Sequence, residues 1–408
     1  MSYKWSNYNL LVNKNYDSVV IFNTQSGAIC ELENEIYSKY TTSEIVNNSM
    51  PYFNELVDLE ILENDETNQN DLYDNESLTI VISCTEDCNL QCYYCFEKKS
   101  RNCFFEGNNT SNLCNLIDSM LLKNFYKNLH IIWFGGEPLL YAKNILEFSQ
   151  TLIEICQKYR VIYSASIVTN GTLLSAPLIS QLIKAKICKI QITFDGNIDL
   201  FKKNKRGTNS QWENLLSLLP KVIDSFDVTL RFNIDHSNIQ SVKELLLIFK
   251  NMNILQNCKI RFAQIHLPLD MHKNCLSYSE FCVVKLSLIS YITFELGVVN
   301  ESIFDDLESR DCACAIIKQH GISIDANGRL YKCEDLIGQG SDVSLDSPLC
   351  ECILKVLEDD TNLDNNCLLC SIFPLCKGEC PIYWVKENCI EKKDYIKKLA
   401  ALKIRSRK

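Results

Sequence analysis

The sequence predicts an α/β chain: a partial (β/α)6 barrel, preceded by a small N-terminal α+β domain and followed by a Cys-rich C-terminal extension. Three observations carry this. Six short apolar runs alternate with amphipathic runs between residues 78 and 264, the pattern of parallel strands joined by right-handed helical crossovers. The polar, acidic run from Glu63 to Asp71 separates that repeat from an N-terminal part of different periodicity. From about residue 301 the alternation stops, and ten of the 22 cysteines fall between Cys312 and Cys389. The divisions expected are an N-terminal unit at 1–62, a linker at 63–77, the barrel at 78–300 and the extension at 301–408.

In the N-terminal unit, Asn9–Val12 and Ser18–Asn23 have the β-branched, apolar content of short strands. Helical periodicity is expected over Ile29–Tyr37, Ser43–Asn47 and Tyr52–Leu62. In the barrel the strands predicted are Leu78–Ser83, His130–Phe134, Ser164–Thr169, Lys189–Phe194, Val228–Ile234 and Lys259–Gln264. The helices between them are Ser111–Phe125, Ala142–Lys158, Ala176–Ala185, Trp212–Ile223 and Ser241–Met252. Six units are fewer than the eight of a closed barrel, so the sheet stays open, with its chemistry at the C-terminal strand ends.

Composition narrows the function classes. With 408 residues the chain has room for two or three domains. A net charge of −10 argues against electrostatic binding of nucleic acid. The first residues, Met1 to Asn7, lack the apolar core of a signal peptide, and no run of 18 apolar residues occurs, so a cytoplasmic protein with no membrane span is expected. Clustered cysteines in such a chain point to bound metal rather than disulfides, and only five histidines lean the ligand set toward sulfur.

The most informative motif follows the first barrel strand: Cys88-x3-Cys92-x2-Cys95, with Tyr94 directly before the third cysteine. Three thiolates at this spacing can hold three corners of a cubane [4Fe–4S] cluster and leave the fourth iron open to a small molecule. A zinc knuckle is the alternative, for which Cys84 could serve as fourth ligand. The loop resembles the Cys-x3-Cys-x-aromatic-Cys signature of the radical S-adenosylmethionine (SAM) enzymes. That resemblance implies a SAM-binding [4Fe–4S] cluster on Cys88, Cys92 and Cys95, reductive cleavage of SAM to a 5′-deoxyadenosyl radical, and an electron donor such as flavodoxin or ferredoxin.

Later strand ends fit the same resemblance. The second strand runs into Gly135-Gly136-Glu137-Pro138. Two glycines allow a close backbone approach, and the segment is similar to the family's Gly-Gly-Glu motif, which holds the amino group of SAM. The third strand ends in Thr169-Asn170-Gly171 and the fourth in Asp195-Gly196; both resemble segments of family members with a cluster-bearing extension. Asp195 is an acceptor for a ribose or substrate hydroxyl, or else a turn cap. Arg231 lies in an apolar strand, where an unpaired charge is costly, which favours it over Arg206 of the Lys205-Arg206-Gly207 segment as a partner for the SAM carboxylate.

The extension carries Gly328-x4-Cys333 downstream of Cys312 and Cys314, then Cys367-x2-Cys370-x5-Cys376-x3-Cys380 and Cys389. This order resembles the SPASM extension of radical SAM enzymes and implies two auxiliary [4Fe–4S] clusters. By that resemblance Cys367, Cys370, Cys376 and Cys389 hold the outer one. Cys333 and Cys380 hold the inner one with Cys312, Cys314 or both. Cys350 and Cys352 fall outside the pattern.

SPASM enzymes commonly modify peptides, and the N-terminal unit resembles the leader-binding domain of enzymes that mature ribosomally made peptides. The reaction expected is a thioether cross-link in a precursor peptide, as sactipeptide and ranthipeptide synthases form. Carbon–carbon cross-linking and the formylglycine formation of anaerobic sulfatase-maturing enzymes are the alternatives within the class. A non-catalytic metal-binding adaptor is the alternative outside it.

Overall fold

The computed structural model describes residues 3–42, 46–64, 76–95, 97, 100–123, 126–265, 274–309, 321–337, 343–345, 365–377 and 388–407. Its N-terminal part opens with β1 (Tyr3–Trp5) and an antiparallel meander of β2 (Asn9–Lys14), β3 (Ser18–Asn23) and β4 (Ile29–Glu33). Helices α1 (Asn34–Thr42) and α2 (Phe53–Asp58) follow, and β5 (Leu62–Asn64) returns to pair with β1.

Two expected helices differ from the periodicity: one starts later, at Asn34, and one ends earlier, at Asp58. Ile29–Glu33 is a strand registered on β3, Cys30 opposite Ile21 and Leu32 opposite Val19. Its apolar positions satisfy period 2 as well as period 3.6, and pairing with β3 decides between them. The run over 52–62 stops at Asp58. Glu60 takes a positive φ of 56°, which turns the chain so that Leu62 pairs with Trp5. The third expected helix starts on residues 43–45, outside the described residues; Val46 bridges to Tyr3.

One face of the meander packs Val19, Ile21 and Leu32 against Ile36, Tyr40, Leu56 and Ile61 in a small core of its own. From the other face Leu10 and Phe22 join the main core of the molecule. Thr24 Oγ1 also donates to the carbonyl of Ser371, 2.5 Å away.

The main sheet begins with β6 (Ser77–Ser83) and alternates with helices: α3 (Asn109–Lys123), β7 (Asn128–Phe134), α4 (Ala142–Tyr159), β8 (Ile162–Thr169), α5 (Ala176–Lys184) and β9 (Ile187–Phe194). It continues through α6 (Ile198–Lys205), α7 (Asn209–Ser225), β10 (Asp227–Ile234), α8 (Ile239–Asn251), β11 (Lys259–Gln264) and α9 (Tyr278–Ser290). All six strands are parallel neighbours in the order β11-β10-β9-β8-β7-β6.

The sheet does not end there. Two short strands from the Cys-rich region, β12 (Gly321–Ile324) and β13 (Leu330–Tyr331), extend it past β6 to eight strands. β12 runs parallel to β6, Gly321 opposite Thr79, and β13 closes antiparallel on β12. Four residues and two residues are too few to show a period, so the expected six-strand sheet lacked this edge. Short helices α10 (Asn365–Leu368) and α11 (Phe373–Cys376) follow, and α12 (Asn388–Ser406) packs on both α9 and β2.

The two faces of the sheet differ chemically. Leu129, Ile131, Trp133, Ala165, Ile167, Ile190, Ile192, Leu230 and Phe232 are fully buried under the helices. The alternate positions, His130, Ser164, Ser166, Gln191, Thr193, Arg231 and Asn233, are polar and less buried. Parallel sheets covered on both faces are apolar on both. This second face is therefore not packed as an apolar core. Among the described residues, no helix is long and apolar enough to cross a membrane.

Candidate active site

The loop after β6 is fixed to the ends of four strands, β7 first. Cys84 N–H donates to the Phe134 carbonyl, Gly136 N–H to the Thr85 carbonyl and Glu137 N–H to the Asp87 carbonyl, at 2.8, 2.8 and 2.9 Å. The Gly-Gly pair is there because of this closeness. Gly135 has φ +115°, and a Cβ on it would sit 2.5 Å from the Thr85 oxygen; one on Gly136 would overlap the Asp87 carbonyl. The double glycine thus lets the ends of β6 and β7 share one backbone layer, immediately before Cys88.

Glu137 is fully buried and its carboxylate is already engaged. It accepts from Leu139 N–H at 3.0 Å, Thr169 Oγ1 at 2.7 Å and Asn170 N–H at 2.8 Å. Burial raises its pKa, opposed by these three hydrogen bonds. The side chain braces the end of β7 to the end of β8. Pro138 starts the 3-10 turn Pro138–Tyr141 that Glu137 caps.

Asn170 carries the link on to the cysteine loop. Its amide Nδ2 lies 2.9 Å from Asn89 Oδ1 and 3.8 Å from Cys88 Sγ, while Asn89 Nδ2 donates to Thr172 Oγ1 at 2.8 Å. Leu90 N–H also points at Cys88 Sγ, at 3.4 Å. N–H groups aimed at sulfur are what a cluster-bound thiolate uses.

Two consecutive tyrosines hold the far side of the loop. Tyr94 Oη donates to Asp195 Oδ1 at 2.6 Å, beyond β9, and Tyr93 Oη donates to Asp235 Oδ2 at 2.5 Å, beyond β10. Asp195 is itself paired with Lys205 at 3.4 Å, both side chains almost wholly buried. Burial raises the Asp195 pKa, with Lys205 and Tyr94 pulling the other way. Its second oxygen, Oδ2, is buried without a partner. Lys205 also donates to the Thr193 carbonyl at 2.7 Å, so it is a bracing cation rather than one available to a ligand.

The three cysteines sit at the mouth of this assembly, Cys95 exposed and Cys88 and Cys92 half-buried. Burial pushes the Cys92 thiol up to about 11, against the pull of Lys205; binding iron reverses this by taking the thiolate as ligand. Among the described residues, no three His, Cys, Asp or Glu side chains converge as ligands of a single ion do. A cubane places its thiolates on separate irons, further apart than the ligands of one zinc. Cys84, the fourth ligand a zinc knuckle would need, lies fully buried in the main core. The residues present fit a cluster better than zinc.

Arg231 projects from the concave face, its Nε 3.0 Å from Asn233 Oδ1 and Arg261 in register beside it. Burial lowers its pKa, while Tyr94, Asp335 and Glu334 favour the charged form. Deeper on the same face, His130 lies between Ser164 Oγ at 2.8 Å and Ser166 Oγ at 3.0 Å.

In the extension, Cys333 lies two residues past the end of β13 and is buried, its Sγ 3.7 Å from Glu334 Oε2. Cys370 N–H donates to the Cys367 carbonyl at 3.0 Å, Cys376 ends α11 in the main core, and Cys389 lies in the first turn of α12. Cys312, Cys314, Cys350, Cys352 and Cys380 lie outside the described residues.

Sequence reading missed Tyr93, Asp235, Asn89 and Lys205 as bracing groups. The signal for Asp235 was present: Phe194-Asp195 and Ile234-Asp235 are both a buried apolar residue followed by Asp at a strand end.

Residues 82–247 match the family model described as the Radical SAM superfamily. The radical SAM cyclopropyl synthase TigE of Paramaledivibacter caminithermalis is 23% identical, over 92% of this chain and 89% of its own length. The cysteine-type anaerobic sulfatase-maturating enzyme of Clostridium novyi is also 23% identical, over 75% of this chain and 88% of its own. Among solved structures, anSMEcpe with bound AdoMet and the Kp18Cys peptide aligns with a TM-score of 0.62 at 18% identity, over 81% of this chain and 99% of that one. Streptococcus suis SuiB bound to precursor peptide SuiA aligns with a TM-score of 0.50 at 13% identity, over 93% and 95%. At these identities the structural likeness shows the fold.

Proposed function

We propose, from the premise that residues 82–247 place this chain among the enzymes of the radical SAM superfamily, that it is a peptide maturase forming a thioether in a ribosomally made precursor peptide. The superfamily's [4Fe–4S] cluster and SAM supply, when bound, a 5′-deoxyadenosyl radical that takes a hydrogen atom from the substrate. The rest is done by the chain's own residues. Cys88, Cys92 and Cys95 hold three corners of the cluster, with Asn170 and Leu90 donating toward Cys88. The backbone of Gly135 and Gly136 receives the amino group of SAM, and Arg231 its carboxylate. Asp195 Oδ2, buried with no protein donor, accepts from a ribose or substrate hydroxyl. The polar concave face takes a peptide segment whose backbone groups need partners.

The observation that carries this reading is the position of Cys333. It lies two residues past the end of β13, which belongs to the same sheet as β6, the strand that leads into Cys88. Cys333 of the extension and Cys88 of the barrel thus follow strands of one sheet. In this reading Cys333 and Cys380 join Cys312, Cys314 or both on an inner auxiliary cluster, and Cys367, Cys370, Cys376 and Cys389 hold an outer one. Residues 1–62 bind the leader. The relatives support a peptide substrate: one solved neighbour is a complex with a peptide and another a complex with a precursor peptide.

Forming a thioether removes one hydrogen atom from carbon, one proton from a thiol and one further electron, which an auxiliary cluster held by the extension's cysteines would accept when bound. The enzyme, incubated anaerobically with SAM, dithionite and a Cys-containing peptide encoded beside its gene, should yield a product about 2 Da lighter per bond, with its thiol no longer alkylating. A loss of 2 Da that persists after Cys→Ser in the peptide would replace this reading with carbon–carbon bond formation. The full-length similarity to a cyclopropyl synthase supports that second reading. The sulfatase-maturating relative aligns with a smaller share of this chain, and the N-terminal unit argues against its chemistry here.

A further inference from the structure

The polar face of the sheet carries one group of side chains that neither the cysteine loop nor its braces use. His130 Nδ1 lies 2.8 Å from Ser164 Oγ, and Nε2 lies 3.0 Å from Ser166 Oγ. Strand register gathers the three. His130 is opposite Ser164 and Ile132 opposite Ser166, so both serines stand on the face that His130 occupies. The row continues through Thr79, opposite His130, to Gly321, opposite Thr79. One ring thus stands among small residues, and the ring and both serines are partly exposed. Their neighbours on the other face, Leu129, Ile131 and Ala165, are fully buried. A parallel sheet packed on both faces would carry apolar side chains in place of this trio. His130 stands four residues before Phe134, the end of β7, roughly 13 Å along the strand from the end that leads into Gly135.

What the trio can bind follows from its hydrogen bonds. A neutral imidazole has one N–H donor and one lone pair. Whichever nitrogen bears the proton, one serine accepts from the ring and keeps its own O–H to donate. The other serine donates to the ring and keeps its lone pairs to accept. Among the described residues neither serine hydroxyl has a hydrogen bond besides the one to His130. The trio therefore presents one donor and one acceptor. A carboxylate offers only acceptors and an ammonium only donors, whereas an amide carries N–H and C=O together. We infer that His130, Ser164 and Ser166 form a subsite that holds one amide group of the peptide substrate, away from the reacting atom. This deepens the peptide reading above and rests on it. The amide belongs to the peptide main chain or to an Asn or Gln side chain, which present the same two groups. An extended chain spans the distance from the strand end with about four residues, so the residue held lies about four positions from the one that reacts. No bond forms or breaks at this subsite; it sets which segment of the peptide lies along the sheet.

The test follows turnover of the Cys-containing precursor peptide encoded beside the gene by the anaerobic holoprotein, together with the melting of each variant. Ser164→Ala/Ser166→Ala removes both outward groups with little change in volume. It should raise KM for the peptide about tenfold and change kcat by less than about threefold. His130→Leu, which leaves the serines without their ring, should raise KM in the same direction. His130→Gln keeps a donor and an acceptor and should lose less. The source of the amide is read from peptides in which single Asn or Gln residues are replaced by Ala, or single peptide bonds by esters. A side-chain source is shown by one Asn→Ala or Gln→Ala peptide whose KM rises with wild type and not with the double serine variant. A main-chain source is shown when only an ester does this. An unchanged KM in Ser164→Ala/Ser166→Ala, or a fall in kcat that tracks a lower melting temperature, would overturn the subsite. Wild type that cleaves SAM but modifies no peptide would instead overturn the peptide reading beneath it.

Discussion

Glu137 offers the clearest quantitative test of how the site is built. Replacing it with Ala removes one acceptor group shared by three donors, Leu139 N–H, Thr169 Oγ1 and Asn170 N–H. Leaving a buried donor unmatched costs roughly 1–3 kcal/mol. The Asn170 amide is only part-buried and can recruit water, so about 3–5 kcal/mol is expected for the three together, including the cavity. Glu137→Gln keeps the volume and one acceptor oxygen but turns the other into a donor facing a donor. A cost of about 1–3 kcal/mol follows. At about 2–4 °C per kcal/mol for a unit of this size, the Ala variant should melt about 6–20 °C lower by differential scanning fluorimetry. The Gln variant should fall between it and wild type. If Glu137→Ala melts within 2 °C of wild type, the carboxylate is not the brace described here, and a direct ligand role would take its place.

Three further outcomes follow from the same structure. Gly136→Ala would drive a methyl group into the Asp87 carbonyl and should leave a soluble protein that binds about four irons fewer, measured by iron and sulfide analysis after reconstitution. Phe22→Ala removes a fully buried ring from the main core and should cost about 3–5 kcal/mol; a change under 1 kcal/mol in melting would show that the N-terminal meander is not docked. Asp306, half-buried, pairs with Lys285 at 2.5 Å and accepts from Tyr395 Oη at 2.7 Å. Burial opposes its charge, but Lys285, Lys392 and the two hydrogen bonds outweigh this and hold its pKa well below the usual carboxylate range. A depressed folded pKa stabilises the fold above about pH 4–5, and that contribution erodes as pH falls below about 4. Asp306→Asn should therefore melt lower at pH 7 and lose less than wild type between pH 7 and pH 3; parallel acid limbs would refute the assignment.

Much of this was legible in the sequence because the barrel is regular. The strand predicted over Lys259–Gln264 matches to the residue, and the other five start one or two residues earlier than expected. Those strands alternate in burial, so one face spells out buried Ile, Leu and Phe while the other keeps Ser, Gln and Arg. The Cys88 loop stands out as a candidate site through its spacing. What failed was local ambiguity: Ile29, Cys30 and Leu32 fit a helix or a strand, and only the neighbouring β3 chose. β12 and β13 were too short to leave a period, although they tie Cys333 to the barrel. Glu137 shows a further limit. Its motif points to a ligand contact, and its carboxylate also accepts from Thr169 and Asn170, a fact of tertiary distance that no spacing encodes. Tyr93 and Asp235 are 142 residues apart, and only the fold brings them together.

The central claim is that Cys88, Cys92 and Cys95 hold a cluster that cleaves SAM. The direct measurement is 5′-deoxyadenosine produced from SAM under dithionite, by wild type and by Cys88→Ala/Cys92→Ala/Cys95→Ala, with iron counted in both. Wild type should produce it and carry about twelve irons. The triple variant should produce none while keeping about eight. A triple variant that still releases 5′-deoxyadenosine, or a wild type that binds zinc at these cysteines and releases none, would contradict the account.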